Sequence, residues 1–300
     1  MLLKHAIEAT ASTPSTRLQA RHRRDPAEAM RLLSIILPLA YNNGLPYVRE
    51  QGLDILIDSG AGRSYLSQAV LDEDGPLATR ARSVGAVNSC EAAGLAFPGA
   101  SGGILGFDAL GAGSSFELTL NELRLDETAS PASSVVLTAK ALGTATAPYP
   151  VTTCEFYGAL ACEVDALVDT GSPATIVNEA LATAAGLFAI EDADDEKGTT
   201  TTGLGGAATA LRRCRAAGIL VGGSVQRPSQ TVLVGDLPQW AALGVASEPA
   251  CVLGLDVLGT AVRAARATAP KRRKTRGERS GGDGALSAPR DGEAWGLEIT

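Results

Sequence analysis

Two short segments of the chain carry residues whose types and spacing could do chemistry. Residues 54–61 are Asp-Ile-Leu-Ile-Asp-Ser-Gly-Ala, and residues 165–172 are Asp-Ala-Leu-Val-Asp-Thr-Gly-Ser. The second aspartates of these segments, Asp58 and Asp169, lie 111 residues apart, which is about the size of a small domain. Two carboxylates held face to face do not both ionise easily, so one can act as a base toward water and the other as an acid toward a carbonyl. The sequence therefore predicts hydrolysis by a water molecule held between paired aspartates.

Each aspartate is followed by residues that suit a tight and buried turn. Gly60 and Gly171 permit a turn that a Cβ atom would obstruct. The hydroxyl groups of Ser59 and Thr170 can form hydrogen bonds to the opposite copy and fix the two loops. A single Asp-x-Gly is common in ordinary turns, but two copies in the same apolar frame favour a catalytic pair.

Other catalytic classes lack the residues that they need. The chain has only two histidines, His5 and His22, both near its N-terminus. Ser-His and Cys-His catalysis and His-ligated metal sites need an imidazole in the folded body. The five cysteines are scattered and never spaced as CxxC, which favours buried free thiols over a zinc or thioredoxin-like site. We therefore expect no metal and no organic cofactor.

Charge and hydropathy restrict the partners. Residues 32–262 contain 11 basic and 25 acidic residues, a net charge of −14. Nucleic-acid binding needs clustered Lys and Arg, so we expect no nucleic-acid partner. The apolar run over residues 32–40 has nine residues, whereas a membrane-spanning helix needs about 20, so we expect no transmembrane segment.

The composition favours a β-rich fold that positions the two aspartates. Apolar residues make up 45% of the chain, aromatic residues only 4%, and there are 34 glycines, which suits many turns and small aliphatic core side chains. Residues 1–40 are expected to form a leader that is disordered or serves targeting. Residues 263–300, which include Lys271-Arg272-Arg273-Lys274, are expected to be a disordered basic and Gly-rich tail. A cytoplasmic or organellar location, in a plastid or mitochondrion, is favoured over secretion.

The folded body contains an internal repeat of about one lobe in length. In each copy a strand delivers the aspartate, and an apolar segment follows that could be helix or strand. A Gly-rich turn comes next, over residues 111–115 in the first copy and residues 203–207 in the second. Residues 252–258, Val-Leu-Gly-Leu-Asp-Val-Leu, close the second copy.

The first copy contains a similar string, but its place in the order differs. Residues 104–110 are Ile-Leu-Gly-Phe-Asp-Ala-Leu, and they precede the Gly-rich turn of the first copy. Pro131 and Pro228 are each followed within two residues by Ser, in front of a Val/Leu strand, which indicates that the order after the Gly-rich turn is the same in both copies. We therefore expect the first copy to lack a closing segment, the alternative being that residues 104–110 are that segment.

These motifs resemble those of retropepsin-like and pepsin-like aspartic proteases, in the two-lobed form found in plant and algal genomes. The resemblance implies an all-β fold, β-dominated with short helices, in which two acid-protease barrels are related by a pseudo-two-fold axis. The first lobe, which would be incomplete without a closing segment, would span residues 41–145, and the second would span residues 146–262. Asp58 and Asp169 would be the catalytic pair, supported by Ser59, Gly60, Thr170 and Gly171. Hairpin flaps over the cleft would contain Gly111 and Gly113 in the first lobe and Gly203, Gly205 and Gly206 in the second.

The implied function is an aspartic endopeptidase that hydrolyses peptide or protein substrates, as a monomer if both lobes are competent. One alternative keeps the fold without catalysis, as an inactive peptide-binding relative. A second is a homodimeric retropepsin-like protease that uses only Asp169, with the first copy degenerate. A third, a binding module that is not a protease, would be favoured by aspartates more than about 10 Å apart.

Overall fold

A computed structural model of the protein describes most of one compact unit, Ser34–Thr300. The described residues are 35–85, 87–97, 99–113, 115–126, 135–143, 147–190, 199–202, 208–259, 262–266 and 293–299.

The described part of the chain is dominated by β-strands and has only short helices, as the sequence predicts. The longest described helix has eight residues, and none is long and apolar enough to cross a membrane. The strands are β1 Ile35–Asn42, β2 Leu45–Glu50, β3 Leu53–Ile57, β4 Tyr65–Leu66, β5 Asn88–Ser89, β6 Gly103–Leu105, β7 Ser115–Leu118, β8 Glu122–Leu125, β9 Val135–Ala141, β10 Pro148–Tyr157, β11 Ala161–Val168, β12 Ile176–Val177, β13 Phe188–Ala189, β14 Thr199–Thr202, β15 Ala208–Val221, β16 Val225–Val234, β17 Cys251–Leu253, β18 Val262–Arg266 and β19 Glu293–Ile299. The helices are α1 Gln68–Leu71, α2 Pro76–Ser83, α3 Cys90–Ala93, α4 Phe107–Leu110, α5 Glu179–Ala185, α6 Pro238–Ala242 and α7 Leu255–Leu258.

Strand β3, which carries the first aspartate, belongs to an antiparallel meander with β1 and β2. The two connecting turns are Asn43-Gly44 and Gln51-Gly52, and all four residues have positive φ. Such two-residue turns match the right-handed twist of paired strands, and Asn-Gly is the favoured pair. Strand β3 then pairs in parallel with β6, which in turn pairs antiparallel with the short β4.

Strand β11, which carries the second aspartate, repeats this arrangement. It pairs antiparallel with β10 and in parallel with β17, and β17 pairs antiparallel with the short β12. A helix follows the short strand in both halves, α1 after β4 and α5 after β12. The segment that the sequence left open between helix and strand is thus a short strand followed by a helix in each copy.

The closing segment of the first copy is present, so the prediction that it is missing is wrong. Strand β6 and helix α4 contain residues 104–110 and occupy the place that β17 and α7 have in the second copy. The matching register pairs are Ile55 with Gly103, Leu56 with Ile104 and Ile57 with Leu105 in the first copy, and Ala166 with Cys251, Leu167 with Val252 and Val168 with Leu253 in the second.

The pairings of β18 and β19, together with that of β9 and β10, connect the two halves. Strand β18 pairs with β7 and β19, β19 pairs with β9, and β9 pairs with β10, all antiparallel. The prediction of disorder over residues 263–300 is therefore wrong for residues 263–266 and 293–299. The basic Lys271-Arg272-Arg273-Lys274 lies outside the described residues.

The predicted leader over residues 1–40 is also too long, because strand β1 begins at Ile35. Leu37 and Leu39 alternate with exposed residues along β1 and pack against the core, and β1 pairs with both β8 and β2. Residues 1–34 lie outside the described residues. The main core contains buried side chains from both halves, including Phe116 of β7 and Phe156 of β10, both fully buried.

Candidate active site

Asp58 and Asp169 occupy equivalent positions immediately after β3 and β11. The backbone N–H of Asp58 donates to the carbonyl oxygen of Leu105 at 3.1 Å, and the N–H of Asp169 donates to that of Leu253 at 3.0 Å. Each aspartate is therefore held by the parallel strand beside its own. The apolar strands carry Asp58 into the protein interior, where it is only 8% exposed, and Asp169 is partly buried.

The hydroxyl groups of Ser59 and Thr170 join the two loops through reciprocal hydrogen bonds. Ser59 Oγ donates to the carbonyl oxygen of Val168 at 2.8 Å and accepts from the N–H of Thr170 at 3.0 Å. Thr170 Oγ1 donates to the carbonyl oxygen of Ile57 at 2.9 Å and accepts from the N–H of Ser59 at 3.0 Å. Both residues are fully buried. The hydrogen bonds across the two copies that the sequence predicts are present.

Gly60 and Gly171 each lie against the carboxylate of the opposite loop. A Cβ atom added to Gly60 would stand 2.5 and 2.6 Å from the two carboxyl oxygens of Asp169. One added to Gly171 would stand 2.7 and 2.8 Å from those of Asp58. Real Cβ atoms essentially never approach other atoms this closely, so a residue other than glycine at either position would displace the opposite carboxylate.

The two carboxyl groups interact directly and are electrostatically coupled. Burial raises the pKa of Asp58, and this rise is opposed by a hydrogen bond from Asp169 and by the N–H groups of Ala61 and Gly60. Burial raises the pKa of Asp169 well above its ordinary value, and the charge of Asp58 and the hydrogen bond to it raise this pKa further. Because both pKa values are raised and each carboxyl group acts on the other, the pair loses its protons in two steps, and between those steps one group is ionised and the other is protonated.

A second pair of equivalent hydrogen bonds supports each loop from behind. Ser64 Oγ donates to Asp108 at 2.6 Å, and its N–H donates to the same carboxylate at 3.0 Å. In the second copy the hydroxyl and N–H of Thr175 donate to Asp256 at 2.7 and 3.0 Å.

Sequence reasoning did not assign a role to these four residues. Ser64 and Thr175 each stand six residues after the aspartate of their loop, and Asp108 and Asp256 occupy the same place in the two closing strings. That equal spacing is the signal that would have paired them.

Both aspartates line one cavity with a volume of about 1060 Å³. Its walls are largely apolar and aromatic, and the described residues that line it include only three charged side chains. The charged residues are Asp58, Asp169 and Arg63, and the larger apolar and aromatic ones are Leu45, Tyr47, Leu56, Tyr65, Phe97, Ile104, Tyr149, Leu167, Ile176, Leu237, Trp240, Leu243 and Val252.

The flap candidates of the first copy lie away from this cavity, which corrects the sequence-based assignment. Gly111 ends helix α4, where its N–H donates to the carbonyl oxygen of Phe107 at 2.7 Å. Gly113 is buried beside the ion pair of Arg80 and Asp126. Helices α2 and α3 occupy the interval in which the second copy forms a hairpin.

The flap candidates of the second copy, Gly203, Gly205 and Gly206, lie outside the described residues. The strands that flank them, β14 and β15, pair antiparallel up to Thr202 and Ala208. Thr201 of β14 lines the cavity that contains the two aspartates.

All five cysteines are free thiols and four of them are buried, in agreement with the expectation of buried free thiols. Burial raises the pKa of the Cys154 thiol to about 12. In the described ranges, no three His, Cys, Asp or Glu side chains form a cluster that could hold a metal ion.

Comparisons with known proteins add little. No protein-family model matches the chain, and no curated protein matches it. Among solved structures, basic 7S globulin from soybean is similar with a TM-score of 0.41 and 8% sequence identity, over 77% of this chain and 91% of that chain. This likeness is too distant to assign a family.

Proposed function

We propose that the protein is an aspartic endopeptidase that hydrolyses peptide bonds with a water molecule activated by Asp58 and Asp169. The observation that carries this proposal is the mutual contact of the two loops: each glycine lies against the opposite carboxylate, and each carboxyl group shifts the pKa of the other. A carboxylate pair of this kind, with one group ionised and one protonated, supplies both a base and an acid.

In the proposed reaction, water attacks the carbonyl carbon of the peptide bond. The ionised Asp58 takes one proton from the water, and Asp169 gives its proton to the carbonyl oxygen, which leaves a neutral gem-diol. The C–N bond then breaks while Asp58 returns its proton to the leaving nitrogen, and Asp169 takes a proton from one hydroxyl of the diol. Both carboxyl groups are thereby restored to their starting states.

The proposed architecture is a pair of retropepsin-like lobes in one chain. The equivalent pairings of β3 with β6 and of β11 with β17 support a duplicated unit, with one aspartate at the end of each first strand. The β14–β15 hairpin is the proposed flap of the second lobe, because Thr201 lines the cavity. The first lobe has helices in the corresponding interval, so the proposed cleft has one hairpin flap.

A monomer is proposed over a homodimer that uses only the second copy. Asp58 of the same chain already provides the second carboxylate, and Ser59 and Thr170 join the two loops within one chain.

The decisive experiment compares cleavage of a denatured protein substrate by the wild type, Asp58→Asn and Asp169→Asn between pH 3 and pH 7. General acid–base catalysis contributes about 100- to 10 000-fold, so each variant should lose at least about 100-fold in kcat/KM. Asp54→Asn and Asp165→Asn are matched controls, because these aspartates lie four residues earlier in the same strands and form exposed ion pairs with Arg49 and Lys140.

The outcomes separate the alternatives. Loss in Asp169→Asn alone, with a dimer in solution, would support the homodimer. Peptide binding without cleavage by the wild type would support the inactive relative. Full activity in both catalytic variants would refute the paired-aspartate mechanism.

A further inference from the structure

The walls of the cavity differ in charge between the two copies. Apart from the two aspartates, the only charged side chain among the described lining residues is that of Arg63, which belongs to the first copy. Arg63 stands five residues after Asp58, and the residue in the same place after Asp169 is Ala174. The repeat therefore puts a cation on one side of the aspartate pair and a methyl group on the other.

The backbone of Arg63 is held firmly although its side chain is exposed. The next residue, Ser64, is bound to Asp108 through its N–H and its hydroxyl. On the other side, a Cβ atom added to Gly106 would stand 2.6 Å from the carbonyl carbon of Arg63, so the two backbones are in close contact. A guanidinium group on a fixed backbone has a restricted reach, which favours recognition at one subsite.

Tyrosine side chains of the cavity lie near Arg63. Tyr65 and Tyr149 line the same cavity, and a Cβ atom on Gly62 would stand 2.9 Å from the ring of Tyr149. Burial raises the pKa of Tyr149, the charge of Asp58 raises it further, and the charge of Arg63 opposes the rise, so these groups are within electrostatic range of one another. This wall offers hydrogen-bond donors and a positive charge, a combination that suits a carboxylate.

The opposite wall offers no charged group besides Asp169. Its larger described lining residues are apolar, namely the buried Trp240 and the aliphatic Leu167, Ile176, Leu237, Leu243 and Val252. An apolar side chain is favoured there by burial, and a charged one would lose its hydration without a partner.

We propose that Arg63 determines substrate specificity by binding an acidic side chain of the peptide on the Asp58 side of the cleft, while the Asp169 side takes aliphatic side chains. This inference rests on the proposed function for its cleavage assay, although the binding assay below does not require catalysis. The folded body as a whole is acidic, with a net charge of −14 over residues 32–262, so a preference for Glu has to come from a local cation.

The test uses a set of peptides with a central Leu-Leu in which each of the four positions on either side is in turn Glu, Gln or Lys. Binding is measured by fluorescence anisotropy with Asp169→Asn protein, and cleavage is measured with the catalytically intact chain. At one or more positions on one side only, we expect Glu to be favoured over Gln by about 3- to 10-fold, as is typical of partly exposed charge pairs.

Two variants of Arg63 test the assignment. Arg63→Gln should bring the Glu and Gln peptides to equal affinity, and Arg63→Glu should favour Lys over Glu by a similar factor. Arg49→Gln is the matched control, because it removes the same charge from an exposed arginine outside the cavity, and it should leave every ratio unchanged.

The results distinguish this inference from the proposed function. A Glu preference that reverses in Arg63→Glu, without cleavage by the intact chain, would support the inference and refute the endopeptidase. If the intact chain cleaves the Glu and Gln peptides equally well, or if its preference between them is the same in the Arg63 variants, the inference is refuted and the endopeptidase proposal stands. Absence of both binding and cleavage would overturn both.

Discussion

The hydroxyl of Thr170 provides the sharpest test of how the two loops are held together. Thr170→Val replaces this hydroxyl with a methyl group of nearly the same size, so packing is preserved while two hydrogen bonds are lost. The N–H of Ser59 and the carbonyl oxygen of Ile57, which are bonded to Thr170 at 3.0 and 2.9 Å, are then left buried without a partner.

The expected loss of stability follows from those two groups. A buried backbone group without a partner costs about 1–3 kcal/mol, so the variant should lose about 2–6 kcal/mol in the free energy of unfolding. For a chain of this size each kcal/mol lowers the thermal midpoint by about 2–4 °C, which predicts a fall of roughly 5–20 °C. Ser59→Ala leaves a different pair unbonded, the N–H of Thr170 and the carbonyl oxygen of Val168, and should cost a similar amount.

Urea unfolding followed by circular dichroism measures these differences. Thr170→Ser keeps the hydroxyl and should retain stability to within about 1 kcal/mol, because it loses only a methyl group. Thr153→Val is the control for the substitution itself, since Thr153 is exposed on β10, and it should change stability by less than about 0.5 kcal/mol. A loss in Thr170→Val no larger than that of Thr153→Val would refute the argument that these hydrogen bonds stabilise the paired loops.

Three further predictions concern the carboxylate pair and the thiols. Gly60→Ala places a Cβ about 2.5 Å from the Asp169 carboxyl oxygens, so we expect a folded protein with roughly 100-fold lower kcat/KM. Gly218→Ala is the control, because its nearest contact would be 3.6 Å, and it should stay active; equal kcat/KM in the two variants would contradict the contact. The pKa of Asp169 is raised in the folded state, so ionisation of this group opposes folding above the unfolded pKa of about 3.9. Asp169→Asn should therefore raise the calorimetric midpoint of unfolding at pH 7 and leave it unchanged at pH 3, and a lower midpoint at pH 7 would refute this. Burial raises the pKa of Cys154 to about 12, so iodoacetamide at pH 8 should not alkylate this thiol until the protein is unfolded in urea. Mass spectrometry measures the modification, and rapid alkylation of Cys154 in the folded protein would contradict its burial.

The local features of the site could be predicted from the sequence because they depend on short motifs. The apolar strands before Asp58 and Asp169 predicted burial of both carboxyl groups, and the hydroxyl residues predicted the bonds between the loops. These features need only a few neighbouring residues and one repeat, so spacing and residue type were sufficient.

The order of the first copy could not be predicted, because helices replace a hairpin there. Ile104 follows Asp58 by 46 residues, whereas Val252 follows Asp169 by 83 residues. Because this interval is shorter, the string over residues 104–110 precedes the Gly-rich turn in the first copy but follows it in the second. The similar residues around Pro131 and Pro228 then favour an incorrect alignment of the two copies. The pairing of β3 with β6 settles the order, and a parallel pairing across such a distance leaves no local pattern in the sequence.

Strand β19 was missed for a related reason. Its sequence, Glu-Ala-Trp-Gly-Leu-Glu-Ile, contains charged residues and a glycine, which are unfavourable in strands. It forms a strand because both of its edges are occupied, by β18 on one side and by β9 on the other. Ladder hydrogen bonds on two sides outweigh a weak intrinsic preference.

The same strand has a consequence for synthesis of the chain. Both aspartate loops leave the ribosome long before residues 293–299, yet the ladder between β9 and β18 stays open until β19 is inserted. Strand pairings over such sequence distances form slowly, because the intervening chain must be ordered first. Newly made chains therefore pass through a stage at which the edges of β9 and β18 are available to other strands, and a chaperone that covers those edges would increase the yield of folded protein.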